Sequence, residues 1–180
     1  MNKKFFKILL TIMILMIIVL IGSLTLLRYY TPSKDGIVYT ENLDRKNLDL
    51  VISDYIINNY FKSNNFSSNN LSSKESHEVH KIYGIDEKFG LKYVYMYTLF
   101  GEYEINNNDK KEISGGANPL VIILKEDENG MYSVVNHKAP WDGEDYPTSL
   151  KVIFPNKYLV NINEQETLKE LNKKMDSQLM

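Results

Sequence analysis

Apolar residues are distributed in three different ways along the chain. From Ile8 to Leu27 they are nearly continuous, twenty positions without a charge. From Glu41 to Ser63 they recur at helical spacing, with Leu48, Val51, Ile52 and Tyr55 in the i, i+3, i+4, i+7 relation and Asp44, Asp49 and Asp54 elsewhere on the cylinder. From Glu75 onward they alternate as strands do. The order of elements implies an N-terminal apolar helix, a second and amphipathic helix, a set of strands and short C-terminal helices. That is an α+β class: a curved antiparallel sheet packed on a helix.

The first stretch reads ILLTIMILMIIVLIGSLTLL. A helix of that length spans about 30 Å, the thickness of a bilayer's hydrocarbon core, with its backbone groups satisfied internally. Lys3, Lys4 and Lys7 precede it, so the positive-inside bias puts the N-terminus in the cytoplasm and the remainder outside. Tyr29 and Tyr30 then fall at the outer interface. A cleaved signal peptide shares the charged start, but its apolar region is usually about 7–15 residues and an A-x-A-like site follows it. Leu20 and Ile21 stand where a small residue is wanted. The expected organisation is therefore a single-pass signal-anchor in residues 1–28, a juxtamembrane connector in 29–40 and an extracytoplasmic domain in 41–180. The bilayer is contacted through residues 8–27.

Within that domain, Thr40 or Asn42 is expected to cap the amphipathic helix, with Glu41 and Asp44 near its positive end. Ser63 to Ser73 (SNNFSSNNLSS) is polar and low in complexity, a loop by composition. Ser76 to Ile85 forms a candidate strand ending near Gly84. Lys92 to Glu104 is the strongest strand signal: Tyr93, Tyr95, Tyr97 and Leu99 share one face, and Val94, Met96, Thr98 and Phe100 the other. Two apolar faces predict a central strand with something packed on each side, and Gly101 a bulge. Asn106 to Pro119 reads as a polar loop. Leu120 to Lys125 and Gly130 to His137 read as strands joined by a hairpin at Asn129-Gly130. Pro140 to Pro147 is turn-rich, Thr148 to Phe154 a short helix ending before Pro155, and Glu164 to Leu179 a helix with Leu168, Leu171 and Met175 on one stripe.

Composition narrows the function. The chain has no cysteine, which removes disulfides, thiol catalysis, cysteine-bound zinc and a lipidated N-terminal cysteine. All acidic residues follow position 28, so the later part carries 17 basic against 23 acidic side chains, a formal −6. Nucleic acid calls for a concentrated basic patch and is not an expected partner. The abundance of Ile, Lys and Asn suggests an AT-rich bacterial genome.

Candidate chemistry is sparse. His77-Glu78-Val79-His80 evokes the zinc motif H-E-x-x-H, but its histidines are three apart in a predicted strand and point to opposite faces. Asp142, Glu144 and Asp145 beside Trp141 lack calcium-loop spacing and read as a solvated turn orienting Trp141, or else as the carboxylates of an envelope hydrolase. Ser114-Gly115-Gly116 precedes a strand, where phosphate loops precede a helix. The row Tyr93, Tyr95, Tyr97, with Trp141 and Asp142, is the possible binding surface for a peptide or glycan; the alternative for the tyrosines is core packing. No catalytic, cofactor-binding or metal-ligating residue is assigned.

Taken together, His80-Lys81-Ile82-Tyr83-Gly84, Tyr93-Val94-Tyr95-Met96-Tyr97, Ser114-Gly115-Gly116-Ala117-Asn118-Pro119-Leu120-Val121-Ile122, Pro140-Trp141-Asp142-Gly143-Glu144-Asp145-Tyr146 and Ser149-Leu150-Lys151-Val152-Ile153-Phe154-Pro155 resemble a recurrent domain over about residues 75 to 157. It is similar to uncharacterised extracytoplasmic domains of low-GC Gram-positive bacteria, some beside membrane proteins related to β-lactam-sensing metallopeptidases. The resemblance implies a non-enzymatic accessory or sensing module with a cystatin-like or nuclear-transport-factor-like sheet and helix. It carries no catalytic residues to this chain, which lacks the peptidase zinc motif. Three functions follow as expectations: a membrane-anchored binding or sensing module with a membrane or envelope protein as partner, an immunity or secretion-assembly accessory, or an envelope hydrolase.

Overall fold

A strand that is apolar on both faces has to be covered twice, and the fold is built around that requirement. The computed structural model describes residues 10–21, 36–61, 74–106 and 109–180. The chain divides into two units, Met1–Lys34 and Asp35–Met180. In the first, residues 10–21 form helix α1 with every side chain exposed. Among the described residues no helix is long and apolar enough to cross a membrane. Ile8, Leu9 and residues 22–27 of the expected anchor lie outside the described residues, as do 62–73, which take in the whole of the expected polar loop Ser63 to Ser73.

The second unit holds a curved, open, four-stranded antiparallel sheet in the order β1-β2-β3-β4, with β1 Lys74–Lys88, β2 Leu91–Asn106, β3 Asp109–Glu126 and β4 Tyr132–Lys138. Helix α2 (Leu48–Tyr55) runs directly into a π-helical turn, Ile56–Phe61. A 3-10 turn (Gly143–Asp145) then leads into α3 (Tyr146–Ile153), followed by α4 (Asn156–Leu159) and α5 (Glu164–Leu179). The α+β class is thus observed, with helices on both faces.

Helix α2 starts later than its periodicity suggests. Its N-cap is Asn47, whose side chain accepts from the Leu50 N–H at 3.2 Å; neither Thr40 nor Asn42 caps it. Residues before Asn47 have other partners. Arg45 accepts the Tyr132 N–H through its backbone carbonyl at 2.8 Å and donates from Nε to the Tyr132 carbonyl at 3.0 Å, which ties this stretch to the start of β4. Residues 36–40, expected to be connector, are also held by the domain. Asn59 brackets the Val38 backbone at 2.9 and 2.8 Å, and Thr40 donates to Asp54.

β2 pairs on both sides, with β1 and β3. On one face Val94, Met96 and Phe100 join Leu120, Ile122 and Leu124 of β3 and Val134 of β4 beneath Val51 and Ile52 of α2 and Ile56 and Phe61 of the π-helical turn. On the other face Tyr97 and Tyr103 pack with Leu171 and Met175 of α5, while Tyr95, Val121 and Ile123 pack with Phe154 after α3. Two of the hairpin turns are among the described residues. β1 continues through Gly84 to Lys88, where Phe89 (φ 54°) and Gly90 (φ 73°) make a primed two-residue turn. Between β3 and β4, Gly130 takes φ 75° and Asp127 accepts the N–H groups of Asn129 and Met131 at 2.9 and 3.0 Å, the hairpin expected at Asn129-Gly130.

Of the expected loop Asn106 to Pro119, Asn106 ends β2 and residues 109–119 are strand, the first part of β3; residues 107 and 108 lie outside the described residues. The strand residues of β3 pair with β2 from Asn106↔Asp109 to Tyr97↔Pro119. The glycines occur here because the neighbouring strand leaves no room for a side chain. A Cβ on Gly115 would lie 2.7 Å from the Phe100 carbonyl oxygen, and one on Gly116 would lie 3.1 Å from the Phe100 ring. The bulge expected at Gly101 falls on the partner strand: register shifts between Glu102 and Tyr103, leaving Ile113 as the extra residue. Tyr83 in β1 and Val135 in β4 are extra residues likewise, and such insertions increase local bend and twist.

Ile122 is fully buried beneath α2. Ile122→Ala should cost about 2–5 kcal/mol in urea unfolding of the protein; a loss below about 1 kcal/mol would show that the helix is not seated on this face.

Candidate functional site

The face under α2 carries a buried polar cluster and a cleft. Near the β1 edge, Glu78 is buried (2% exposed) and fully engaged. It accepts from Ser53 Oγ at 2.6 Å, from Thr98 Oγ1 at 2.7 Å and is bonded to His80 Nδ1 at 3.1 Å. His80 Nε2 lies 3.5 Å from Asp49 of α2. Burial alone would depress the His80 pKa, but the hydrogen bond and charge of Glu78, with Asp49 behind, outweigh it and hold the pKa above the ordinary 6.5. His77 points to the opposite face, edge-on to Tyr103 at 5.9 Å, as the strand geometry predicts. The two histidines share no site. Among the described residues no group of three His, Asp or Glu side chains could hold a metal.

At the other end of this face lies a cleft of about 550 Å³. It exists because β4 is short. The last β3–β4 pair is Val121↔Lys138, after which Ala139 and Pro140 leave the sheet and uncover the β3 edge at Gly116 to Asn118. The π-helical turn supplies Tyr60 as one wall, β2 supplies Phe100 and β4 supplies His137, while Asp142 closes the rim. Tyr60 stands edge-on to Phe100 (centroids 6.0 Å, 88°) and to His137 (5.0 Å, 78°). Asn118 Nδ2 donates to the Tyr60 hydroxyl at 2.9 Å, and Tyr55 Oη shares a 2.7 Å hydrogen bond with His137 Nδ1. Burial pushes the Tyr55 hydroxyl up to about 12 and holds the His137 imidazole below 6.5, so at neutral pH both are uncharged. Burial also raises Tyr60; its Asn118 bond opposes that, and the negative Asp142 nearby adds to it.

The structure separates the residues expected to form a binding surface. Tyr95 (3% exposed) and Tyr97 (4%) are covered by the C-terminal helices, and Tyr93 is half-buried, so the tyrosine row packs against helices instead of facing solvent as a groove. Trp141 is 61% exposed, and its backbone N–H donates to Ser149 Oγ at 2.9 Å. It lies between Pro140 and Asp142, both lining the cleft. Asp142, Glu144 and Asp145 are all exposed around the 3-10 turn. Ser114, Gly115 and Gly116 lie in a strand and form no anion loop. Tyr60, Asn118 and His137 were not among the expected site residues. The one signal pointing to them is Ala139-Pro140, which ends β4 directly after His137 and Lys138 and leaves the next strand's edge bare.

Two further hollows have less defined chemistry. One of about 640 Å³ follows the β1 edge between α2 and α5, and there Glu170 is paired with Lys81 at 2.6 Å and Lys174 at 3.0 Å. The other, about 650 Å³, lies between Tyr103 and the C-terminal residues Leu179 and Met180.

The two buried histidines predict opposite pH effects. The folded pKa of His80 is raised, so its stabilisation is complete below about 6.5 and is lost as pH rises through the higher folded value. The folded pKa of His137 is lowered, so its stabilisation is present above about 6.5 and is lost as pH falls through the lower folded value. In chemical denaturation from pH 5 to 8.5, the stability gap between wild type and His80→Gln should narrow as pH rises. The gap for His137→Gln should widen. Parallel curves for the two variants would contradict the assignment. No protein-family model, no curated protein and no solved structure matches the chain, so its function has to be argued from the chemistry of the cleft.

Proposed function

We propose that the chain is a non-enzymatic binding or sensing module, tethered to the cell membrane by residues 8–27 with its N-terminus in the cytoplasm and its sheet domain outside. The observation that carries the binding reading is the cleft formed by Tyr60, Phe100, Asn118, His137 and Asp142. Its volume suits a small molecule or a protruding side chain, and ring faces with a few polar groups are the usual lining of a recognition site. An uncharged imidazole and a hydroxyl kept protonated suit ligand contact. The hydroxyls beside His80, those of Ser53 and Thr98, both donate to Glu78, which leaves neither activated by a histidine.

Twenty uncharged positions behind three lysines support the anchor. A helix followed by a four-stranded antiparallel meander, with that helix across one face, supports a cystatin-like or nuclear-transport-factor-like kinship. The partner is a membrane or envelope component, in keeping with the family that the sequence resembles.

With Trp141 replaced by a photo-crosslinking residue in the full chain, irradiation of intact cells should yield one specific envelope adduct. The adduct should disappear when Ala139→Leu narrows the cleft. An adduct pattern unchanged by Ala139→Leu, or no adduct at native expression, contradicts the binding reading. A tag at the C-terminus should be digested by protease added outside intact cells; full protection of the tag contradicts the orientation.

A further inference from the structure

The β3 edge that β4 leaves bare is a row of backbone groups with a definite phase. Along a strand the N–H and C=O of successive residues point alternately to its two neighbours. Asp127 donates its N–H to the Met131 carbonyl at 3.0 Å, so at the turn the chain directs this residue toward β4. The β2–β3 register is unbroken from Lys125 back to Ser114. Counting in twos from Asp127 puts the groups of Pro119, Ala117 and Gly115 on the β4 side as well. The β1–β2 turn gives the same phase: Lys88 pairs with Leu91 there, which leaves Thr98 and Phe100 to face Asn118 and Gly116. β4 ends opposite Val121, so no strand of the sheet meets Gly115, Ala117 or Pro119. Proline suits such a position, because it has no N–H to leave unpaired.

The other edges of the sheet are better protected. In β4 the outward N–H groups of Tyr132 and Val134 donate to the Arg45 carbonyl at 2.8 Å and to the Tyr39 hydroxyl at 2.7 Å. In the middle of β1, Glu78 and Val79 are buried against α2 and α5 respectively. Gly115 and Gly116, by contrast, are partly exposed, and a glycine has only backbone to expose. Among the described residues nothing beyond β2 is bonded to the main chain of Gly115 or Ala117. No charged residue occurs from Ser114 to Asn118, so this window lacks the lysines that commonly guard a strand edge.

Resting on the reading of the cleft as a recognition site, we propose that its ligand is an extended peptide segment. The segment adds to β3 as a further strand, antiparallel to it, in the line that β4 abandons. Another extended backbone repeats donors and acceptors at the two-residue spacing of Gly115 and Ala117. A ligand residue opposite Gly116 turns its side chain to the α2 face. There it enters the cleft beside Tyr60 and the neutral His137, which suit an uncharged group. Lys110 and Lys111, exposed further along the edge, form no ion pair among the described residues and favour an acidic residue at the ligand's C-terminal end.

The probe is fluorescein-labelled Thr-Val-Thr-Val-Asp-Asp-amide, titrated by anisotropy into the full chain in a non-ionic detergent. Two analogues are N-methylated, one at both valines and the other at both threonines, so that each loses the donors of one strand edge only. The parent should bind saturably; one analogue should bind at least roughly tenfold more weakly and the other as the parent does. In hydrogen exchange, saturating peptide should slow the amides of Gly115 and Ala117 and leave Gly116 as it was. Ala117→Pro removes an outward N–H without touching the β2 ladder, and should abolish binding with the circular dichroism unchanged. No saturable binding, equal affinity for the two analogues, or unslowed Gly115 and Ala117 overturns the proposal, and none of the three depends on the variant. A concentration-dependent dimer that Ala117→Pro dissolves also overturns it, by making a second copy of the chain the occupant. A crosslinked adduct at position 141 that Ala139→Leu removes and Ala117→Pro leaves intact sinks strand addition while the binding reading stands.

Discussion

Strand β2 is the constraint on which the structure depends. Val94, Met96 and Phe100 on one side and Tyr95, Tyr97 and Tyr103 on the other are all buried, and neither set tolerates water. Backbone pairing with β1 and β3 satisfies its polar groups, but only two layers of helix remove both sets of side chains from solvent. The two coverings differ in kind. Val51, Ile52 and Ile56, with Phe61, meet a face made mostly of Val, Ile, Leu and Met with Phe100 among them. The C-terminal helices meet the tyrosine face, where rings such as Tyr95 and Phe154 pack edge to face at 5.5 Å.

Covering a long sheet from both sides leaves its ends exposed, and the candidate site occupies one of them. β4 contributes seven residues against eighteen in β3. The mismatch uncovers part of the β3 edge, and the π-helical turn brings Tyr60 over the gap. π-helical turns recur at functional sites because an inserted residue re-aims the side chains around it. At the far end of the same face lies a satisfied network: Ser53, Thr98 and His80 all reach Glu78. A buried carboxylate with that many partners is tolerable, whereas one left unpaired would be costly. One face thus ends in a closed polar network and in an open aromatic cleft.

Much of this was legible in the residues. Strand β2, its two-sided burial, the Asn129-Gly130 hairpin and helix α5 each follow from local periodicity or turn chemistry. The failures have tertiary causes. Ser114 to Ala117 looks like a loop because its glycines answer to Phe100 across the strand pair, a contact invisible along the chain. Residues 41–46 look helical but bridge to Tyr132, far away in sequence. The tyrosine row was legible as strand, yet whether it faced a helix or a ligand depended on where α3 and α5 docked. Asp142 was legible as one of three carboxylates in a turn beside Trp141 and as part of a possible binding surface, but its place at this cleft was not. Tyr60, Asn118 and His137 come together only after three elements have folded.

Amide hydrogen exchange on the folded protein tests the central claim most directly. The account predicts the slowest exchange in the middle of β2, from Val94 to Phe100, and in its partners Leu120 to Leu124. It also predicts measurable protection at Gly116 and Asn118, whose N–H groups face β2 and would exchange freely in a loop. Fast exchange at Gly116 and Asn118, or protection of β2 no greater than that of the edge strands, would contradict a central strand covered on both sides, and with it the cleft that depends on where β4 ends.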